Sequence, residues 1–178
     1  ISLVIGDLQP DPLANIAGHA LSIPVLPIET VDAGGGSIAY IDEGGALRVG
    51  PKSAGANPGP ACYGRGGQSA TVTDAHVVLG RLERLLGGDF ELHPENAYGA
   101  IQKLASELGA EVNATAQAII DIAESQMVRA CKRVTRARGL DPRDASLVAF
   151  GGAGGLHACR IAEELGCADV IFPGEPGV

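Results

Sequence analysis

The stretch Ser146-Leu147-Val148-Ala149-Phe150-Gly151-Gly152-Ala153-Gly154-Gly155-Leu156-His157-Ala158 constrains this chain more than any other. An apolar run with β-propensity enters a glycine cluster, and an apolar, alanine-containing helix leaves it. Strand, glycine turn, helix is an arrangement that aims backbone N–H groups at an anion. Glycine also lets a flat ligand, such as a nucleobase or sugar, lie against the backbone. The spacing is not that of a dinucleotide fingerprint, because from Gly152 the third glycine would fall at His157. It is not a P-loop, because no Gly-Lys-Ser/Thr follows. A tight turn closing a helix onto a strand is the simpler alternative.

The flanks extend this unit. Residues 156–165 read as a helix ended by Gly166, and residues 168–172 as a further strand, which makes a β-α-β arrangement and an α/β layer. Upstream, residues 96–108 read as a helix closed by Gly109. The longest helix starts at Asn113 or Thr115 and runs to about Arg138, with Gly139 as its cap. Along it Ala116, Ile120, Ala123, Met127, Ala130 and Val134 recur in steps of four and three, forming an apolar stripe. Arg129, Lys132, Arg133, Arg136 and Arg138 crowd its end, where they suit the helix dipole.

Earlier still, Asp74 is placed to N-cap a helix over residues 75–86 ended by Gly87 and Gly88. His76 reads there as a surface or capping residue. Residues 38–41 and 46–49 are two short strands joined by a turn at Asp42-Glu43-Gly44-Gly45. Three glycines, Gly34, Gly35 and Gly36, precede the first of them. A hairpin does not need these, although a bulge at the sheet edge would use them. Residues 51–67 form a long Gly- and Pro-rich loop, and Cys62, Tyr63 and Arg65 within it favour an ordered cover over a flexible linker. At the start, residues 1–5 read as a strand, 9–18 as turn-rich, and 22–28 as extended because of Pro24 and Pro27.

Composition sets the outer bounds. With 178 residues, 46% of them hydrophobic and only 3% aromatic, the chain can build a core from Leu, Ile, Val and Ala. A net charge of −8 argues against a nucleic-acid-binding face. Cys62, Cys131, Cys159 and Cys167 have no C-x-x-C spacing and read as reduced thiols in a cytoplasmic protein. Cys62, in a glycine-rich loop, is a candidate nucleophile, although no histidine pairs with it in sequence. No apolar run reaches the roughly 20 residues of a membrane helix. The absence of an initiator Met and an ending in Pro-Gly-Glu-Pro-Gly-Val suggest a piece of a longer polypeptide.

Several blocks then resemble one family in order. They are Thr30-Val31-Asp32-Ala33-Gly34-Gly35-Gly36-Ser37-Ile38-Ala39, Arg48-Val49-Gly50-Pro51-Lys52-Ser53-Ala54-Gly55, Pro58-Gly59-Pro60-Ala61-Cys62-Tyr63-Gly64, Val72-Thr73-Asp74-Ala75, Gly139-Leu140-Asp141-Pro142-Arg143, and the glycine cluster from Val148 to Ala158. Together they resemble the hydantoinase A / N-methylhydantoinase A / 5-oxoprolinase family. The resemblance implies a ribonuclease-H-like lobe of the actin/Hsp70/sugar-kinase type of ATPase fold, with a mixed sheet and packed helices. Residues 1–178 would be the C-terminal lobe of that domain.

It also implies ATP-dependent opening of a small cyclic amide of hydantoin, N-methylhydantoin or 5-oxoproline type, through phosphorylation of a carbonyl or amide oxygen. ATP and Mg would be the cofactors, the metal ligands lying mostly outside this chain. A B-type hydantoinase subunit or domain would be the partner. Gly151, Gly152, Ala153, Gly154, Gly155 and His157 would lie on the adenosine side, and Gly34, Gly35, Gly36 and Ser37 would approach the nucleotide. Relatives that carboxylate ketones of acetone or acetophenone type share the same machinery, and a lobe that mainly docks a partner is a third reading. The chain departs from the family pattern at Asp32, often Gly, at Gly155, often Pro, and at Asn57, often Asp. These departures leave substrate choice open.

Overall fold

A computed structural model describes residues 1–4, 6, 14–16, 18–24, 28–85 and 90–174. Its spine is the longest helix, α3 (Val112–Ala137), 26 residues and thus about 39 Å long. The other elements divide between its two halves. On the first half lie a hairpin of β3 (Ser37–Ile41) and β4 (Leu47–Ser53), the short helix α1 (Val72–Val78) and α2 (Pro94–Leu108). Ile101, Ile119, Ile120, Val72 and several alanines fill that core. On the second half lies the glycine-loop unit: β5 (Leu147–Val148), α4 (Gly154–Leu165) and β6 (Val170–Ile171). Val128, Cys131, Ile161 and Leu165 pack between them. A short hairpin, β1 (Ala14–Ile16) with β2 (His19–Leu21), stands near the start of the chain.

The architecture is α/β, with four α-helices among the described residues and both antiparallel and parallel strand pairing. The described strands form three two-stranded ladders. β3 pairs antiparallel with β4, and its register shifts between Ser37 and Ala39, just after the triple glycine. β5 pairs parallel with β6 across α4, which is the β-α-β unit expected from the glycine cluster. The parallel strands are shorter than the apolar runs that suggested them, two residues each. None of the described helices is long and apolar enough to cross a membrane.

Several expectations are corrected. Residues 1–4 are not a strand, although Ile1 and Glu29 exchange two backbone hydrogen bonds of 2.7 Å. The turn-rich stretch contains β1 instead. Residues 25–27 of the extended segment, and Gly87 and Gly88, lie outside the described residues. The helix expected over 75–86 is α1, over Val72–Val78, and its N-cap is Thr71 rather than Asp74. Thr71 Oγ1 accepts the Asp74 N–H at 3.2 Å while Asp74 Oδ2 accepts the Thr71 N–H at 2.9 Å. This reciprocal capping box satisfies two otherwise orphan donors, so the helix starts three residues earlier than an Asp74 cap would allow.

On α3, Met127 and Val134 are only half-buried, while Ile119, Glu124, Val128, Cys131 and Thr135 are buried. The helix is covered from more than one side, so its buried face is wider than a single stripe. α2 ends at Gly109 in the left-handed region (φ 64°), as its sequence requires.

Candidate functional site

The two glycine segments, more than a hundred positions apart in sequence, meet in space. The N-terminal end of α1 holds the first, because the Thr73 N–H donates to Gly35 O at 2.8 Å. A Cβ built at Gly35 would lie 2.7 Å from Thr73 Oγ1 and 3.6 Å from the Ala153 Cβ. Gly35 is therefore glycine because nothing larger fits between α1 and the loop before α4. Gly36 is also pressed, with an added Cβ 2.9 Å from Ser53 Oγ. Ser37 is buried, and its hydroxyl accepts from Gly34 N–H at 3.0 Å and donates to Asp32 O at 3.4 Å. It thus ties its own loop together.

The second segment is open. Gly151, Gly152, Gly154 and Gly155 are exposed and Ala153 is half-buried. At Gly151, Gly152 and Gly154 an added Cβ would meet none of the described residues within 4 Å. Gly151 has φ +86°, so glycine is needed there for the turn itself. Gly155 lies against Phe172, 3.6 Å from its ring to an added Cβ. α4 begins inside the cluster, at Gly154, and no side chain caps it. First-turn N–H groups with no side-chain acceptor, on an exposed glycine surface, form a cradle suited to an anionic or flat polar ligand. Exposed Phe150 and Phe172 flank it.

Behind this surface lies a group that sequence reasoning missed. His157 is fully buried, and its Nδ1 is 3.1 Å from Glu124 Oε1 on α3. Its Nε2 is 3.4 Å from Nε2 of His76 on α1. The two rings meet edge to face with centroids 4.7 Å apart. His76, expected at the surface, is 1% exposed. Burial first, then His157 and Arg81, pushes the His76 pKa down from its usual 6.5 to about 4, so the ring is neutral near pH 7. Its Nδ1 is buried with no hydrogen-bond partner among the described residues. A signal did exist: Glu124 falls in phase with Ile120 and Val128, an acid on an apolar face, and His76 sits among Val72, Ala75 and Val77. Their meeting could not be read, because the three residues are far apart in sequence.

The loop expected over 51–67 is ordered, although residues 51–53 belong to β4, and what it covers is α1 together with the start of α2. Asp74 accepts from the N–H groups of Ala61 (3.2 Å) and Cys62 (2.8 Å) in addition to both Thr71 donors. Cys62 is fully buried, and burial together with the neighbouring Asp74 carboxylate raises its thiol pKa far above the usual value. That removes it as a nucleophile. Arg65 bonds Ala56 O at 3.3 Å and lies 4.9 Å over the Phe90 ring. A separate open cleft of about 720 Å³ runs between the β3–β4 hairpin and α3, with Asp32, Arg48, Arg129 and Arg133 on its walls. Arg48 is paired with Asp42 and Arg133 with Glu29. Among the described residues, no group of three His, Cys, Asp or Glu is placed to hold a metal ion.

Comparison with known proteins identifies the family to which this α/β fold belongs. The chain belongs to the hydantoinase/oxoprolinase family, whose model matches residues 1–178. It is 48% identical over 158 residues to the caprolactamase subunit alpha of Pseudomonas jessenii, covering 87% of this chain and 23% of that one. The crystal structure of the ATP-dependent caprolactamase from that organism superposes with a TM-score of 0.84 at 46% identity, covering 92% of this chain and 24% of that chain. A nucleotide-free structure of acetone carboxylase, which performs ATP-dependent acetone carboxylation, superposes with a TM-score of 0.81 at 31% identity over 90% of this chain and 23% of that chain. The chain spans about a quarter of the length of the first curated relatives it matches.

Proposed function

We propose that this chain is the lobe of an ATP-dependent enzyme that opens small cyclic amides, and that residues 151–155 hold the nucleoside side of ATP. The observation that carries this is the contrast at the loop. Gly152 and Gly154 are exposed with no neighbour among the described residues to exclude a side chain, beside an uncapped helix start. Their smallness is explained by close approach of a ligand. Similarity to an ATP-dependent caprolactamase supports a lactam-like substrate.

ATP, when bound, would phosphorylate the amide oxygen with release of ADP and so make the carbonyl carbon a better electrophile for water, after which the ring C–N bond breaks and phosphate is released. This chain's part is to bind and orient. The backbone N–H groups at the α4 start face the ligand, and Phe150 offers an apolar face beside them. Gly34 and Gly35 bring a second backbone segment alongside, with Ser37 holding its turn closed. Magnesium would be held mainly by residues outside the lobe, and a partner subunit would complete the enzyme, as the relative's designation as a subunit suggests.

The test is ATP hydrolysis by the full-length protein with its partner, measured with hydantoin, N-methylhydantoin, 5-oxoproline and caprolactam in turn. Stimulation by one of these supports the reading. Stimulation only by a ketone with bicarbonate would replace it with the carboxylase reading, which the acetone carboxylase likeness favours. The docking reading predicts that Arg65→Glu releases the partner. Since Arg65 is engaged with Ala56 and Phe90 inside its own loop, retention of the partner is expected.

A further inference from the structure

The chain Glu124–His157–His76 joins three helices through buried polar atoms, and no step in the proposed reaction uses it. Glu124 comes from the middle of α3, His157 from the first turn of α4, and His76 from α1. A buried carboxylate accepts, so the His157 Nδ1 carries the proton toward Glu124. The two Nε2 atoms face each other at 3.4 Å, one donating and the other accepting according to the tautomer, and the His76 Nδ1 has no partner among the described residues. An orphaned buried nitrogen costs free energy, so an apolar replacement would pack more cheaply than this arrangement. The polar chain also has a direction. It starts on the spine helix, passes through the residue three positions after Gly154, and ends on the helix whose Thr73 grips Gly35.

We infer that His157 is a positioning residue: the Glu124–His157–His76 chain fixes the first turn of α4, and with it the loop over residues 151–155, against the end of α1 that carries Gly35. It rests on the nucleoside-holding reading of that loop, which it deepens. His157 does not touch the ligand, because its ring is fully buried with both nitrogens directed at protein partners.

The test uses the full-length protein with Glu124→Leu, Glu124→Gln and His76→Phe. Two quantities are read for each: amide hydrogen exchange in the peptide spanning residues 150–158, and the affinity for Mg-ATP. Glu124→Gln keeps an oxygen that accepts from the His157 Nδ1–H, and it is expected to exchange like the parent with ATP affinity within about twofold. Glu124→Leu breaks the chain at its anchor. Exchange in 150–158 should quicken at least about tenfold and ATP affinity fall about tenfold, a change of roughly 1.4 kcal/mol. His76→Phe keeps the ring volume and removes only the far link, so it should show the same pattern more weakly if Glu124→Leu does not fold.

Unchanged exchange in folded Glu124→Leu or His76→Phe overturns the positioning role whatever ATP does. Quickened exchange with unchanged ATP affinity supports positioning and instead overturns the assignment of the loop to the nucleoside. Equal effects of Leu and Gln at position 124 would show that packing, not the hydrogen bond, holds α4, and would also overturn the inference.

Discussion

At Gly35 an added Cβ would press on Thr73 Oγ1 at 2.7 Å, whereas at Gly152 it would meet none of the described residues within 4 Å. Both glycines come from dense clusters, and both clusters read in sequence as ligand loops. In the first cluster, the protein itself supplies the reason at two of three glycines: Thr73 leaves no room at Gly35 and Ser53 none at Gly36, while a Cβ at Gly34 would meet no described residue within 4 Å. In the second, only Gly151 has an internal reason, its backbone angle, because at Gly155 an added Cβ would make no more than an ordinary 3.6 Å contact with Phe172. Gly152, Gly154 and Gly155 are small with nothing among the described residues to demand it. A glycine run therefore points to a ligand only after the protein's own neighbours have been subtracted.

If the first cluster is held by packing, removing its anchor should cost more than any change in the second. Asp74→Ala deletes the acceptor for four donors, two of them the backbone N–H groups of Ala61 and Cys62, all in buried surroundings. A loss of about 4 kcal/mol is expected, from several charge-assisted bonds and the orphaned donors they leave. Denaturant unfolding measures it, and a loss below about 1 kcal/mol would mean that the 51–67 loop is not anchored on α1 as described.

Acid should loosen the same side of the molecule. His76 binds its proton less readily when folded, at about 4 rather than 6.5. Between those values the unfolded chain holds more protons, so stability falls as pH drops through the window. The full effect is roughly 3 kcal/mol once pH is below both values. Unfolding midpoints stepped through the window should show this slope, and His76→Gln should flatten it. Next in size is Gly35→Ala. Thr73 Oγ1 or the loop must shift, at about 2 kcal/mol, and a thermal melt unchanged by this substitution would break the contrast with Gly152.

What was legible follows from range. The strand–glycine–helix unit, the hairpin at residues 42–45, α2 with its Gly109 cap and the ordered 51–67 loop are local patterns, and each was readable from adjacent residues. The capping box was misread because Asp74 serves a Thr71 cap instead of capping directly, a difference of three residues that propensity alone does not separate. His76 was misplaced, and the role of Glu124 went unread, for another reason. A polar residue on an apolar face is explained only by its partner, and the partners lie 81 and 33 positions from their counterparts. The meeting of Gly35 with Ala153 is equally tertiary. Both glycine clusters could be named from sequence, but whether each faced protein or solvent could not.

Gly152→Val has the smallest expected effect on stability and discriminates best between the clusters. Its φ is not in the left-handed region and an added Cβ meets none of the described residues, so the fold has no reason to reject a side chain. Surface changes of this kind cost within about 0.5 kcal/mol. If a nucleoside lies on residues 151–155, the valine methyl groups occupy the ligand's place. ATP affinity in the full-length protein should then fall tenfold or more, roughly 1.4 kcal/mol, with the melting temperature almost unmoved. Calorimetric titration with Mg-ATP beside a thermal melt gives both numbers from one preparation. Loss of binding without loss of stability assigns the second cluster's glycines to a ligand. A melt that drops as far as that of Gly35→Ala would show that an unseen neighbour packs on Gly152, and the two clusters would be alike after all.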